Sequence, residues 1–299
     1  MATPAKQFTE EYQMTNDVLV EVQNLHVTFP TDGELVEAVR GVSFDIRKGE
    51  TVGVVGESGS GKSVTSMSML RLNDMAGAYV PEGKIYLNSE RLGRVELTTA
   101  DDRTIRSIRG RDVAMIFQEP MTSLNPVIDI RTQLTEPLLQ PLGMSPQEAE
   151  EKALGLLNRV RIPDPEAKLN QYPHNLSGGM RQRIMIAMAL TCEPSLLIAD
   201  EPTTALDVTI QAQILDLIKD IQEDFGMSVL FITHDMAVIA EMADRVVVMF
   251  NGEIVEQGPV DQIFHAPQHE YTKKLIGAVP RIGSMSGKTE PEKFPAIVG

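Results

Sequence analysis

Four short apolar runs, each bounded by polar or turn residues, are spread along the chain. They are TVGVV at 51–55, VAMIF at 113–117, LLIA at 196–199 and VLFIT at 229–233. Runs of four or five apolar residues without alternation are typical of parallel strands that are buried on both faces. The pattern therefore predicts the inner strands of a parallel sheet.

Stretches with helical spacing lie between these runs. Ser145, Pro146 and Glu148 have the arrangement of a capping box, which marks the start of a helix. The apolar positions of this helix are Ala149, Ala153, Leu157 and Val160, and those of a second predicted helix are Ile210, Ile214, Leu217 and Ile221. The alternation of strands and helices predicts an α/β fold, in which helices cover a sheet.

A hairpin is predicted nearer the end of the chain. Segments 246–250 and 253–257 have the composition of strands and flank Asn251 and Gly252. Asn-Gly is the pair that two-residue type I′ turns favour, because both positions need a positive φ. We therefore expect these segments to form an antiparallel pair.

The distribution of polar and turn residues predicts three regions. Residues 1–17 form a flexible leader, residues 18–282 a compact domain, and residues 283–299 a C-terminal tail. Within the domain, residues 119–180 carry helix and proline signals without a good strand, which predicts an inserted helical subdomain. A series of surface loops is the alternative, although about 60 residues of loop would be unusual in a compact domain.

Composition narrows the functional classes. The 299 residues are 42% apolar and carry a formal net charge of −15, which excludes global disorder and disfavours a broad cationic surface for nucleic acid. The apolar runs are shorter than the ~20 residues that span a bilayer, and acidic residues near the N-terminus disfavour a signal peptide, so we expect a cytoplasmic protein. The single cysteine, Cys192, excludes a disulfide framework, and we expect it to be buried and inert.

A phosphate-binding loop is the strongest chemical signal. Residues 56–63, GESGSGKS, fit the pattern G-x-x-x-x-G-K-[ST] between a predicted strand and a helical run at 64–72. Backbone N–H groups of such a loop bind phosphates, while Lys62 would reach the β/γ-phosphates and the Ser63 hydroxyl would ligate Mg²⁺. A flexible Gly/Ser loop is the alternative, which the order of strand, loop and helix disfavours. The predicted nucleotide-binding residues here are Gly56, Ser58, Gly59, Ser60, Gly61, Lys62, Ser63 and Val64.

Two adjacent carboxylates, Asp200 and Glu201, follow the apolar run at 196–199. Ligands of open α/β sheets bind at the carboxyl ends of the strands, where these acids are expected. Neighbouring side chains of a strand point to different sides, so Asp200 would hold Mg²⁺ while Glu201 would polarise the attacking water. A solvated acidic pair without function is the alternative.

A second anion site is predicted at the start of another helix. Ser177 and the amides of Gly178 and Gly179 precede an apolar helical run within the sequence LSGGMRQ. Together with the phosphate loop and the acidic pair, this segment resembles the signature motif of ABC-type ATPases, with Met180 at the position where glutamine is usual. The resemblance implies a P-loop NTPase core with a RecA-like parallel sheet, an antiparallel β subdomain and an inserted helical subdomain. It also implies that two ATPase domains pair head to tail.

Further residues match the pattern of this family. Gln118 resembles the Q-loop glutamine that approaches Mg²⁺ and water, and His234 resembles the switch histidine that contacts the γ-phosphate. Asp207, in the segment 205–207, resembles the D-loop aspartate, although it could equally cap the following helix. Phe29 is the candidate for stacking on adenine, with a core position as the alternative. Without the other motifs, Gln118 and His234 would be interpreted as surface and structural residues.

Two segments narrow the resemblance. Residues 118–126 and 265–272 look like those of ATPase subunits of bacterial dipeptide, oligopeptide and glutathione importers. This resemblance implies an ATPase that uses ATP and Mg²⁺ at the cytoplasmic face of the inner membrane. Its implied partners are a second ATPase subunit or copy, two membrane permease subunits and, indirectly, an extracytoplasmic substrate-binding protein, without nucleic acid.

The remaining points concern a metal cluster, an alternative function and the cargo. The cysteine-rich C-terminal segment of many relatives has no counterpart in the sequence, so no iron–sulfur cluster is predicted. A non-transport ABC ATPase, or a nucleotide clamp that assembles a complex, is the alternative function. Peptide, glutathione and nickel all remain candidate cargoes, because selectivity in such importers belongs to the permease and the binding protein.

Overall fold

A computed structural model describes residues 17–31, 33–118, 123–139, 142–204 and 206–278. The predicted leader up to residue 16 and the predicted tail at 283–299 lie outside the described residues. Contacts divide the chain into two compact units. The first unit comprises the described parts of 1–88, 92–99 and 230–299, and the second comprises those of 89–91 and 100–229.

The described residues form strands and helices in alternation. The strands are β1 (Val18–Thr31), β2 (Glu34–Arg47), β3 (Thr51–Val55), β4 (Lys84–Ser89), β5 (Gly93–Glu96), β6 (Val113–Ile116), β7 (Leu196–Asp200), β8 (Ser228–Thr233), β9 (Arg245–Phe250) and β10 (Glu253–Pro259). The helices are α1 (Lys62–Met69), α2 (Asp102–Ile108), α3 (Ile130–Leu139), α4 (Pro146–Arg159), α5 (Pro165–Leu169), α6 (Gly178–Ala189), α7 (Val208–Phe225), α8 (Met236–Met242), α9 (Val260–His265) and α10 (Glu270–Gly277). Short 3₁₀ helices occupy Asn73–Ala76 and Pro173–Asn175. No described helix combines the length and apolar character needed to span a bilayer.

The first unit contains two sheets. The strands of one sheet follow the order β2-β1-β4-β5, and those of the other include β10-β9-β3-β8. β1 pairs antiparallel with both β2 and β4, whereas β3 runs parallel to β9. Every residue of β3 and of β8 is buried, which confirms the prediction from the apolar runs at 51–55 and 229–233.

The predicted hairpin is confirmed in the first unit. β9 and β10 are antiparallel, and Glu253 lies opposite Phe250. The two residues between them, Asn251 and Gly252, have φ values of 50° and 84°. Both are left-handed, as a type I′ turn requires.

The second unit contains β6 and β7 as a parallel pair, in register from Val113 opposite Leu196 to Ile116 opposite Ala199. α4 begins with a complete capping box, in which the Ser145 side chain accepts from the Glu148 N–H and the Glu148 carboxylate accepts from the Ser145 N–H. The four predicted apolar positions of α4 are all buried. The structure therefore confirms this helix, its cap and its buried face.

α7 is longer than the predicted helix, and Ile214, Leu217 and Ile221 point into the core while Ile210 is half-buried. Between 123 and 180 the described residues form helices and no strand. The second unit contains these helices but also β6 and β7, so it does not coincide with the predicted helical subdomain. The boundaries of that subdomain, of the compact domain, of the leader and of the tail therefore stay predictions.

Two local predictions need correction. The helix after the phosphate loop ends at Met69 and does not reach residue 72, because Arg71 adopts a left-handed φ of 51° that a right-handed helix cannot continue. Cys192 is half-buried, not fully buried, and its Sγ lies 3.9 Å from the carbonyl oxygen of Pro137.

Helix α8 packs closely on β3 because Gly53 has no side chain. A Cβ built on Gly53 would lie 2.7 Å from Cδ1 of Ile239 and 3.0 Å from Cβ of Ala243. Both distances are shorter than ordinary contacts between carbon atoms. The helix can therefore approach the strand only while residue 53 is small.

Replacing Gly53 with valine should lower the free energy of unfolding by about 1–3 kcal/mol, because the added methyl groups overpack the contact with α8. Replacing Gly155, an exposed glycine inside α4 with open space around its Cβ position, should instead raise it by about 0.5–1 kcal/mol. Urea unfolding of Gly53→Val and of the control Gly155→Ala measures both changes in the free energy of unfolding. A Gly53→Val chain as stable as the parent would show that Ile239 moves aside without cost.

Candidate nucleotide-binding site

Glycine is required at two positions of the phosphate loop, Gly56 and Gly61, because other backbone segments approach them closely. A Cβ on Gly56 would lie 2.1 Å from the carbonyl oxygen of Met249 in β9, and one on Gly61 would lie 2.7 Å from that of Ala38 in β2. Gly61 also has a φ of 98°, in the region that favours glycine. Any side chain at these positions would move the loop away from β2 and β9.

Lys62 is the first residue of α1, and its side chain folds back over the phosphate loop. The ammonium Nζ donates to the carbonyl oxygens of Gly56, at 2.8 Å, and of Glu57, at 2.7 Å. Lys62 is only 6% exposed, so these partners compensate part of the cost of burying its charge. Ser63 and Val64 follow in the first turn of α1 and are half-buried.

The outer part of the loop is open to solvent. Ser58 and Gly59 are exposed, whereas Ser60 is buried and its carbonyl oxygen accepts a hydrogen bond from the N–H of Gly252 at 3.1 Å. Gly252 belongs to the turn between β9 and β10. The turn of the hairpin therefore holds the inner end of the loop.

Phe29 lies in β1 directly opposite Val36 of β2, so their side chains share one face of the hairpin. Phe29 is half-buried and Val36 is 48% exposed. Val36 stands two residues before Ala38, whose carbonyl oxygen approaches Gly61. Val36 could not be singled out from the sequence, because valine is ordinarily a core residue.

His234, the residue after β8, is exposed. The turn that carries it is held by two hydrogen bonds: the Asp235 N–H donates to Oγ1 of Thr233 at 3.1 Å, and the Asp235 carboxylate accepts from the Ala237 N–H at 2.8 Å. Asp235 thereby caps α8. His234 is thus presented at a strand end by a turn with two internal hydrogen bonds.

In the second unit, the acidic pair is placed at the end of β7. Asp200 is the last residue of the strand and is 3% exposed, while Glu201 is half-buried and has a left-handed φ of 47°. The chain therefore turns at Glu201. The two carboxylates stand in different environments, one buried at the strand end and one on the turn.

Two side chains hold the carboxylate of Glu201. Nε2 of Gln118 donates to Oε2 of Glu201 at 3.0 Å, and Oγ1 of Thr204 donates to the same oxygen at 2.8 Å. Gln118 comes from the segment after β6, so the structure brings two residues predicted for the site into direct contact. Thr204 was not predicted, although its position three residues after an acid is typical of a side chain that stabilises a turn.

The signature segment begins α6. Ser177 caps this helix, and its Oγ accepts from the Met180 N–H at 3.3 Å. Ser177 and Gly178 are exposed, and a Cβ on Gly179 would lie 3.3 Å from Cγ2 of Ile210 in α7. The helix start is therefore open to solvent on one side and packed on α7 on the other.

Asp207 caps α7, since its Oδ1 accepts from the Ile210 N–H at 3.0 Å. The capping alternative for Asp207 is thus confirmed, while its role as a D-loop residue stays a prediction. Ala205 and the segment 119–122 belong to predicted motifs but lie outside the described residues.

Gln182 connects the signature helix to the acidic turn. It is buried in α6, and its Nε2 donates to the carbonyl oxygen of Pro202, the residue after Glu201. In the sequence, Gln182 stands out only as the last residue of the signature segment LSGGMRQ. Nothing in the local pattern indicates a partner that is 20 residues away.

The predicted site residues therefore fall into two sets. The first unit holds the phosphate loop with Lys62 and Ser63, together with Phe29 and His234; the second holds Gln118, Asp200, Glu201, Asp207 and the signature residues Ser177, Gly178 and Gly179. Among the described residues, no group of three or more His, Cys, Asp or Glu side chains could hold a metal ion. The roles of these residues stay predictions.

Two family models match the chain. The model described as "ABC transporter" matches residues 39–204, which contain the phosphate loop, the signature and the acidic pair. The model described as "Oligopeptide/dipeptide transporter, C-terminal region" matches residues 255–296, which begin in β10. The two matches lie one after the other along the chain.

Curated relatives are similar over nearly the whole chain. The glutathione import ATP-binding protein GsiA of Salmonella typhimurium is 54% identical over 283 residues, which are 95% of this chain and 45% of the relative. The protein of the same name from Escherichia coli K12 is 53% identical over 279 residues, again 45% of the relative. The chain thus spans less than half the length of these relatives.

Solved structures share the fold. The ATP-binding cassette MJ0796, in a dimeric post-hydrolysis state bound to ADP and Pi, has a TM-score of 0.67 at 28% identity and covers 81% of this chain and 99% of its own. A second dimeric structure of MJ0796, a bacterial ABC transporter cassette, has a TM-score of 0.70 at the same identity and coverage. These neighbours confirm the predicted α/β P-loop NTPase fold. Because the "ABC transporter" model covers more than half of the 299 residues, the chain belongs to the ABC transporter family and carries its ATP-binding cassette, an ATPase domain.

Proposed function

We propose that this cassette is the nucleotide-binding subunit of an importer for peptides, glutathione among them, and that ATP turnover drives the import. The observation that carries the hydrolytic part is the carboxylate of Glu201, which Gln118 and Thr204 hold in one orientation at the end of β7. A carboxylate that accepts a proton from water must be positioned before the reaction. The phosphate loop supplies the complementary part, a site for the nucleotide.

The loop is suited to bind the phosphates of ATP. Its N–H groups and the start of α1 provide fixed partial positive charge. Lys62 rests on two neutral carbonyl oxygens, and phosphate oxygens are stronger partners for an ammonium because their hydrogen bonds are charge-assisted. ATP therefore draws the Lys62 side chain from the loop backbone towards its β- and γ-phosphates.

Phe29 and Val36 form an apolar face for the adenine base. They lie opposite each other on the β1–β2 hairpin, and the same strand β2 contacts the loop at Gly61. An aromatic ring and an exposed aliphatic side chain on one face suit a flat base, which gains from stacking and from burial. The hairpin would thus orient the nucleoside while the loop holds the phosphates.

The chain offers oxygen donors for Mg²⁺, namely the Ser63 hydroxyl, the Gln118 amide oxygen and the Asp200 carboxylate. Mg²⁺ prefers oxygen ligands and commonly takes one or two carboxylates in addition to phosphate oxygens, so each of these side chains is of a kind that would bind the ion. When bound, Mg²⁺ neutralises charge on the transferred phosphoryl group. Lys62 would add positive charge and His234 a hydrogen bond at the γ-phosphate.

The signature residues complete the proposed site from a second ATPase domain. Ser177, Gly178 and Gly179 are at or near the exposed start of α6, where N–H groups favour an anion. The MJ0796 cassettes with the same fold are dimeric. We infer a head-to-tail pair in which each signature segment and Asp207 face the nucleotide of the partner, whether the partner is a second copy, a paralogue or a fused half of a longer chain.

The proposal of import rests on the family match at residues 255–296 and on the names of the similar proteins. Residues 255–296 match the oligopeptide/dipeptide transporter region, and GsiA is named as a glutathione import protein. Such a cassette would lie at the cytoplasmic face of the inner membrane, bound to two permease subunits and served by an extracytoplasmic binding protein. A non-transport ATPase or a nucleotide clamp remains the alternative that the experiments below must exclude.

Glu201→Gln should slow ATP turnover by about 100-fold or more, because the amide cannot accept a proton from water. MgATP binding and ATP-dependent dimer formation should persist. Phosphate release measures the turnover, and light scattering with MgATP measures dimer formation, which requires bound nucleotide. The matched control is Glu223→Gln, which changes an exposed carboxylate of α7. Unchanged turnover in Glu201→Gln would refute its role as base.

Lys62→Ala should weaken MgATP binding by about 100-fold, because charge-assisted hydrogen bonds to phosphate are lost from a buried position. Lys219→Ala, which removes an exposed lysine of α7, should leave the affinity unchanged. Isothermal titration calorimetry compares the three chains. Equal affinity in Lys62→Ala and the parent would contradict the assignment of the phosphate loop.

The transport proposal requires membrane partners. We expect the chain to copurify with permease subunits from its native membrane, and the complex in proteoliposomes with its binding protein to accumulate labelled glutathione or short peptides when ATP is supplied. Accumulation should stop in Glu201→Gln. A fully active ATPase that copurifies with no membrane subunit would favour the non-transport alternative.

A further inference from the structure

The first turn of α10 reaches the phosphate loop. The hydroxyl of Tyr271 accepts a hydrogen bond from the N–H of Glu57 at 3.0 Å, across a separation of 214 residues. Tyr271 is 6% exposed. It belongs to the region matched by the oligopeptide/dipeptide model, whereas Glu57 belongs to the region matched by the ABC transporter model.

This hydrogen bond holds the same peptide group on which Lys62 rests. The peptide between Gly56 and Glu57 has its N–H bound to Tyr271 and its carbonyl oxygen bound to Nζ of Lys62, at 2.8 Å. A peptide group is planar, so fixing its N–H also fixes the direction of its carbonyl. The Tyr271 hydroxyl thereby determines where one partner of the lysine lies.

Packing fixes the ring of Tyr271. Its centroid lies 4.3 Å from that of Phe250, and the two ring planes are inclined by 37°. Phe250 is the last residue of β9 and precedes the turn whose Gly252 N–H is bonded to Ser60 of the loop. The aromatic pair therefore links α10 to the same hairpin that holds the loop.

The start of α10 is also anchored through the backbone. Oε1 of Glu256 in β10 accepts from the Gln268 N–H at 2.8 Å, and Oε2 accepts from the His269 N–H at 3.0 Å. His269 then caps α10 by accepting from the Tyr271 N–H at 3.2 Å. Burial acts to raise the pKa of Glu256. The nearby Thr272 hydroxyl and the N–H groups of Gln268 and His269 outweigh it, so the pKa lies below its ordinary value and the carboxylate is charged at neutral pH.

The chemistry of the phenol agrees with a permanent hydrogen bond. Burial, together with the nearby Glu57 carboxylate, raises the pKa of Tyr271 above its ordinary value of 10.0, although the Glu57 N–H opposes the change. The side chain therefore remains a neutral hydroxyl throughout the physiological range. Its contact with the loop does not switch with pH.

We propose that Tyr271 is a positioning residue for nucleotide binding, through which helix α10 sets the shape of the phosphate loop and the resting place of the Lys62 ammonium. This inference rests on the proposed nucleotide site. The Glu57 N–H points to Tyr271, so this amide is assigned to the scaffold and not to the phosphates. Loss of the hydroxyl frees the peptide to rotate and weakens the binding of the β- and γ-phosphates that Lys62 would contact.

Tyr271→Phe tests the role, because it keeps the ring against Phe250 and removes only the hydroxyl. We expect the Kd of MgATP and the KM of turnover to rise about fivefold, the effect of one neutral hydrogen bond, while kcat stays within about twofold. AMP, which lacks the phosphates that Lys62 would reach, should bind equally to both chains. Tyr86→Phe is the control: Tyr86 lies in β4 opposite Glu21, with Arg94 stacked on its ring, and its substitution should change neither affinity.

A measurement on the unsubstituted chain guards against a folding defect in the variant. The Glu57 amide proton should exchange slowly with solvent in the nucleotide-free protein, and an unprotected amide would overturn the proposal. Unchanged ATP affinity in folded Tyr271→Phe, or an equal loss for ATP and AMP, would also overturn it while leaving the proposed function intact. A parent chain that binds no MgATP would overturn the proposed function and this inference together.

Discussion

The phosphate loop keeps its shape because glycine lets it touch backbone on two sides. The carbonyl oxygens of Met249 and Ala38 occupy the space where a Cβ of Gly56 or Gly61 would stand. With the loop pressed between β9 and β2, the Lys62 ammonium has two loop carbonyls within hydrogen-bond distance. Burying an ammonium without hydrogen-bond partners would cost free energy, so this close packing allows the charged Lys62 side chain to be buried.

The acidic turn of the second unit depends on a comparable set of restraints. Glu201 has a left-handed backbone, which costs energy for a residue with a side chain. Three hydrogen bonds from different segments offset that cost, from Gln118 and Thr204 to the carboxylate and from Gln182 to the carbonyl of Pro202. A carboxylate held in this way loses little further freedom when it acts on water, which is the property that the proposed mechanism uses.

Elements with local signals could be predicted, and those without could not. The capping box at Ser145 and the Asn251-Gly252 turn were confirmed because each depends on neighbouring residues. The long strands β1 and β2 were not located, although valines alternate at the start of β1. Register shifts after Val22 and near Val27 interrupt the alternation, so no period of two continues along the strand. The early end of α1 arises from the left-handed conformation of Arg71. This conformation could not be predicted, because arginine has no known preference for it.

The sequence by itself determined the phosphate loop, the acidic pair, the helix caps and the apolar strands, because each of these requires particular residues at fixed short spacing. Only the tertiary structure decided which distant groups meet. The pairs Gln118–Glu201 and Glu57–Tyr271 are separated by 83 and 214 residues, and a hydrogen bond of 3.0 Å depends on the packing of whole elements. No local sequence pattern encodes that packing, so these two hydrogen bonds could be identified only from the folded structure.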